Sequence, residues 1–232
     1  MRPNIIVLIS HDTGRFISPY GVDTVNTPNY ERLAGESVQF LNAFTTAPQC
    51  SPARAALFSG KYPHAVGVMG NVGREHGWRF PDDERHAARI FGDNGYQTWL
   101  LGLLHETYLP ERLGFDAIEL GFPVVDAADH LADLLKTRDS NRPFYCEIGC
   151  KETHRPWDGF DCPPDDSKGV TVPPFLEDGP RTREDLAQLQ GCVNRLDRGL
   201  GQIMDVLERH ELVDNTILVV TTDHGIACRR AK

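Results

Sequence analysis

The chain has 232 residues, 40% hydrophobic and 25% charged, with a formal net charge of −9. That length suits one large domain or two small ones, and the composition supports a packed core. The acidic balance argues against nucleic acid or an acidic membrane as partner, although a local positive pocket stays open.

In chain order, "NIIVLIS" (residues 4–10) is a continuous apolar run ending in polar "HDTGR", as expected of a strand buried on both faces. It is too short for a signal peptide and lacks a small-residue cleavage site, and no stretch is apolar enough to span a bilayer. The default compartment is therefore the cytoplasm. There the six cysteines are expected as reduced thiols, since Cys146 and Cys150, the only close pair, lack zinc-site spacing. "TPNYERLAGES" begins with Thr27 as N-cap and Pro28 in the first turn, and predicts a helix. "VQFLNAFTT" (38–46) predicts a strand or extended segment. "SPARAALFSG" predicts a helix that stops at Gly60.

Further on, "DDERHAARIFGDNG" (82–95) is amphipathic, and its "DDERH" reads as a solvated helix start without a functional role. "YQTWLLGLL" predicts a strand leading into His105, and "VVDAADHLADLLKTRD" a helix. "PFYCEIGC" predicts a strand leading into "KETHRPW", followed by a long Pro- and Gly-rich loop over 155–182. A long helix then precedes the strand of "TILVVTTDHG". This alternation predicts an α/β fold with a mostly parallel central sheet flanked by helices. In such sheets ligands bind beyond the carboxyl ends of the strands. Four polar clusters fall at those ends: His11-Asp12, His105, His154 and Asp223-His224.

Each Asp-His pair alone reads as a turn, but the two together read as a divalent-metal site with oxygen and nitrogen donors. His105 reads equally as a core histidine or as a site residue. His154 lies in a polar stretch with Lys151, Glu152 and Arg155, which favours a functional role. Cys50-Ser51-Pro52-Ala53-Arg54 places a cysteine at a helix N-terminus with an arginine one turn on. The free N–H groups there favour an anion, and the arginine adds a fixed cation. The alternative is a small buried cysteine capping a core helix.

The Cys-x-Pro-x-Arg segment, the alanine-rich "AALFSG", "NIIVLISHDTG", "GLLH", "THRP" and "TTDHG", in this order, resemble the type I sulfatases of the alkaline phosphatase superfamily, in the style of bacterial sulfamidases. The resemblance implies an alkaline-phosphatase-like fold and hydrolysis of sulfate esters or sulfamates, with an aryl sulfate or a sulfated sugar as substrate. It implies that a formylglycine-generating maturation enzyme oxidises Cys50 to an aldehyde, which hydrates to a geminal diol. One hydroxyl attacks sulfur and expels the alcohol or amine; deprotonation of the second expels sulfate. By the same resemblance Asp12, Asp223, His224 and position 50 hold a divalent metal, calcium in much of the family. Arg54 holds the diol, His105 and His154 move protons, and Lys232 contacts sulfate.

Three departures stand out. His11-Asp12 replaces two adjacent acids, and Asp223-His224 replaces Asp-Asn, which leaves room for manganese or another transition ion. Phosphonate and phosphodiester hydrolases of the superfamily also use an Asp-His pair, so that activity is the alternative. Leu103 stands where the family carries lysine after Gly102. The resemblance also predicts that residues 1–232 form the N-terminal part of a catalytic domain. Further strands and a smaller C-terminal subdomain are expected beyond it, so that the chain alone could be a non-catalytic domain.

Overall fold

The structure, a computed structural model, describes residues 2–73, 75, 77–157 and 161–228. Among these residues the apolar runs form strands β1 (Asn4–Ser10), β2 (Gln97–Gly102), β3 (Ala117–Leu120), β4 (Phe144–Cys150) and β5 (Thr216–Thr222). They pair in parallel in the order β3-β2-β4-β1-β5. All seven residues of β4 are buried, as expected of a strand covered on both faces.

The helices are α1 (Pro28–Gly35), α2 (Cys50–Ser59), α3 (Pro63–Val66), α4 (Ala87–Asp93), α5 (Ala127–Thr137) and α6 (Pro180–Arg209). The apolar stripe of α6, with Leu186, Leu189, Val193, Leu196, Leu200 and Ile203, recurs every three or four residues. It joins α5 and the Ile6, Leu8, Phe144 and Ile148 side chains in the main core. The opposite sheet face is covered less evenly. Ala88 of α4 packs there with Tyr96 and Tyr145, and Ile5 and Val7 are only partly buried. On β5, Ile217 and Val219 remain 50% and 41% exposed.

Several local expectations change. Residues 38–46 form no strand, and Val38, Phe40, Leu41 and Phe44 are exposed. Val38, Phe40 and Phe44 keep the period of two, but a strand also needs a neighbour to pair with, and among the described residues none of the five strands pairs with this segment. Thr27 makes no side-chain cap for α1. Asp197, from the middle of α6, accepts the N–H groups of Asn29 and Tyr30 at 2.9 Å instead. The predicted helix over 82–95 shortens to α4, because His86 leaves the solvated run, becomes buried and accepts the N–H of Ala88 as N-cap. β3 and the one-turn α3 carry too few residues to stand out as periodic patterns. Among the described residues, no helix is long and apolar enough to cross a membrane, and none of the six cysteines is in a disulfide.

Candidate active site

Strands β1, β4 and β5 end level, since Ser10 lies opposite both Cys150 and Thr222. The loops that follow therefore leave together. The N–H of His11 bonds the Cys150 carbonyl at 3.2 Å, and that of Asp223 bonds the Ser10 carbonyl at 3.1 Å. Gly14 then lets the first and last loops touch. Its φ is +55°, and a Cβ there would lie 2.9 Å from Cα of Gly225. Asp12 itself sits at φ 49°, a region that aspartate tolerates better than most residues. From β2, Gly102 turns the chain at φ +79°, where a Cβ would come within 2.3 Å of the Gly149 carbonyl oxygen. The turn delivers His105 to the same edge, with its ring 5.3 Å from that of His11.

Helix α2 begins at Cys50, with Gln49 as N-cap in extended conformation and Gly60 as C-cap. The Ser51 hydroxyl anchors this first turn by accepting the N–H of Val72 at 2.9 Å. Cys50 is buried, with Sγ 3.2 Å from His224 Nε2 and 3.8 Å from Asp12 Oδ1. Arg54, fully buried one turn on, donates from Nε to Asp223 Oδ2 at 3.1 Å. Its two terminal guanidinium nitrogens find no hydrogen-bond partner among the described residues. Buried donors left open in this way are costly, and an anion would satisfy them.

The ionisable groups are tightly linked. Donor atoms of His11, Asp12, Cys50 and Asp223 all lie within 4.8 Å of one another. His224 Nε2 is 3.0 Å from Asp12 Oδ1, and His11 Nδ1 is 2.9 Å from Asp223 Oδ2. Burial opposes charge on both imidazoles. The bonds of His11 to Asp12, Asp223 and Cys50 nonetheless raise it to about 9, and those of His224 to Asp12 and Cys50 raise it to about 10. Burial likewise opposes a Cys50 thiolate, but His105, His11 and His224 bring the thiol down to about 4. Burial works against the Asp223 carboxylate too, yet His11 and Arg54 hold it well below the usual range. His154 is lowered, by burial and then by the charge of His11.

Two carboxylates, imidazole nitrogen and a sulfur position converging at one buried point fit a divalent cation. The mixed nitrogen and oxygen donors suit a transition ion at least as well as calcium. Asp12, Asp223, His224 and Cys50 surround that point. Arg54 and His105 adjoin it, and the ring of His154 stands 4.9 Å from that of His11. His11, left open as a ligand from sequence, lies at the centre. Lys232 lies outside the described residues.

Sequence reasoning missed His86, Glu106 and Glu147, which form a second buried cluster. The one available signal was Glu147 itself, the only charged residue in the apolar run "FYCEIGC".

A parallel α/β sheet with such a cluster at its carboxyl edge defines an alkaline-phosphatase-like fold. The chain belongs to the sulfatase family, whose sequence profile matches residues 3–126 and 124–231. It is 28% identical to N-sulphoglucosamine sulphohydrolase of Homo sapiens, over 97% of this chain and 51% of that protein. Among solved structures, a protein in complex with its substrate D-glucosamine-2-N,6-O-disulfate superposes with a TM-score of 0.81 at 19% identity, covering 97% of this chain and 66% of the other. Phosphonate monoester hydrolase of Agrobacterium radiobacter superposes with a TM-score of 0.72 at 18% identity, covering 97% and 63%. At these identities the solved structures speak to the fold alone. The chain spans about half the length of the human relative it matches.

Proposed function

We propose that this chain carries the nucleophile-bearing part of a hydrolase that cleaves sulfate esters or N-sulfate groups of sulfated sugars. The observation that carries this reading is Arg54, a buried cation anchored on Asp223 with two guanidinium nitrogens open, one turn from Cys50. A sulfate or sulfamate group offers the negative charge and peripheral oxygens that those donors lack. The likeness to N-sulphoglucosamine sulphohydrolase supports the same substrate chemistry.

In this reading Asp12, Asp223, His224 and position 50 hold one divalent ion, which when bound polarises a substrate oxygen and favours the ionised nucleophile. Cys50 is the precursor of formylglycine, formed by a maturation enzyme. Arg54 binds the nucleophile and offsets negative charge as it develops. His154 Nδ1 lies 2.5 Å from the Arg155 carbonyl oxygen, which fixes the ring hydrogen on Nδ1 and leaves Nε2 as the proton-accepting atom. Its lowered pKa keeps that nitrogen free at neutral pH. His105 stands at the other side of His11 as the second proton carrier. Lys232 is assigned to sulfate contact on the motif alone.

The nitrogen donor of His224, 3.2 Å from Cys50 Sγ, favours one second reading, a phosphonate monoester or phosphodiester hydrolase on the same scaffold. One experiment separates them. The chain is co-expressed with a formylglycine-generating enzyme, its Cys50 peptide is mass-mapped, and metal-supplemented turnover is measured on aryl sulfate, N-sulfoglucosamine, aryl phosphonate and aryl phosphate. Aldehyde at position 50 with sulfate or sulfamate turnover is the expected result. Preference for the phosphonate selects the second reading, and an unconverted thiol with no turnover overturns both.

A further inference from the structure

His86, Glu106 and Glu147 are each at most 2% exposed, and their donor atoms lie within 4.8 Å of one another. The rings of Phe58, Phe80 and Phe115 box His86 in at 5.2, 5.2 and 5.5 Å between centroids. That apolar enclosure disfavours solvent and makes every polar bond inside it directional. His86 Nδ1 accepts the N–H of Ala88 at 3.2 Å, so its own hydrogen sits on Nε2, which faces Glu106 Oε1 at 3.6 Å without a hydrogen bond to it. The other oxygen of Glu106 accepts the backbone N–H of His105 at 3.0 Å. The Glu106 carbonyl accepts the N–H of Phe80 at 2.8 Å, which pins the residue in place. Glu147 completes the group, with Oε1 accepting the Tyr145 hydroxyl at 2.6 Å and lying 3.7 Å from His86 Nδ1.

A line of contacts therefore runs from the start of α4 through His86 and Glu106 to the backbone of His105. Glu106 also feels the charge of Arg54, as does Glu147. Burying two carboxylates is expensive, and a core built only for packing would use apolar side chains here. The Glu106 carboxylate has a use if it fixes the turn that presents His105.

We propose that Glu106 is a positioning residue for His105, a role that rests on the sulfatase reading of the site. Its carboxylate holds the His105 backbone N–H, while touching neither substrate nor nucleophile.

The test uses the full 232-residue chain, with Glu106→Gln, Glu106→Ala and His86→Asn variants. Alanine removes the acceptor for the His105 N–H, and glutamine replaces the charged acceptor by a weaker neutral one. Glu106→Gln is expected to lower kcat on aryl sulfate roughly 10- to 100-fold, in the range for residues that support catalytic groups. KM should stay within about twofold, because ground-state binding is untouched. In nitrogen-15 spectra, the His105 amide and imidazole signals should move in Glu106→Gln and in His86→Asn, with the fold retained. Wild-type kinetics in Glu106→Gln would overturn the proposal, as would unmoved His105 signals in both folded variants. If Glu106→Ala fails to fold, the isosteric Glu106→Gln decides. If the wild-type chain keeps an unconverted thiol at position 50 and turns over no sulfate, the sulfatase reading fails on that result, and the His105 signals still decide whether Glu106 positions this loop.

Discussion

Glu147 lies in the middle of β4, between Val7 of β1 and Leu100 of β2, with 2% of its surface exposed. Burial pushes its carboxyl from an ordinary 4.5 up to about 7. His86 beside it pulls the other way, and Glu106 adds to the rise. The sign for stability follows from linkage. Below 4.5 both folded and unfolded chains hold this proton. Between 4.5 and about 7 the folded chain holds it and the unfolded chain releases it, so stability falls as pH rises. Above about 7 the whole cost is present. At 1.36 kcal/mol per tenfold change in proton affinity, a rise from 4.5 to about 7 costs about 3 kcal/mol. Glu147→Gln removes the ionisation and keeps an acceptor for the Tyr145 hydroxyl. The variant is expected to melt close to wild type at about pH 5 and roughly 6–12 °C higher at about pH 8.5, at 2–4 °C per kcal/mol for a chain this size. Calorimetric melts of both proteins at the two pH values and one ionic strength make the comparison. An equal shift at both pH values, or a variant that melts lower at the high pH, would refute the reasoning.

Four further outcomes are expected. Cys50→Ala abolishes turnover while changing stability by about 1 kcal/mol, as for other small changes at a helix start; parallel kinetics and denaturant melts check this. Asp12→Ala and Asp223→Ala each lose bound divalent ion in elemental analysis, because each removes a charged donor; unchanged metal in both would sink the site assignment. Gly14→Ala, which puts a Cβ 2.9 Å from Cα of Gly225 at φ +55°, lowers stability by about 1–3 kcal/mol and weakens metal binding by parting the loops of Asp12 and Asp223. Combined Phe44→Ser and Val219→Lys, at positions 88% and 41% exposed, reduces self-association in light scattering, because an apolar edge strand and an exposed apolar segment each invite association.

The amino-acid sequence by itself determined the strand–helix alternation, the parallel sheet and the edge at which chemistry collects. Short continuous runs such as "NIIVLIS" and "PFYCEIGC", rich in β-branched and aromatic residues, suit buried strands, and polar residues at their ends are left at one rim. It also marked Cys50 and Arg54, since a helix start needs only local signals. Tertiary structure alone decided the rest. Residues 38–46, with good strand composition, form no strand, because pairing depends on a neighbour that local propensity does not report. Thr27 looked like the cap of α1, yet the cap is Asp197, some 170 residues away. His86 sat in a charged run that read as solvated, and its burial became visible only once Glu106, Glu147 and three aromatic rings surrounded it. The physical reason is common to all three. Periodicity records which face of one element is apolar, whereas a buried polar group is stable only through partners that the chain brings from elsewhere.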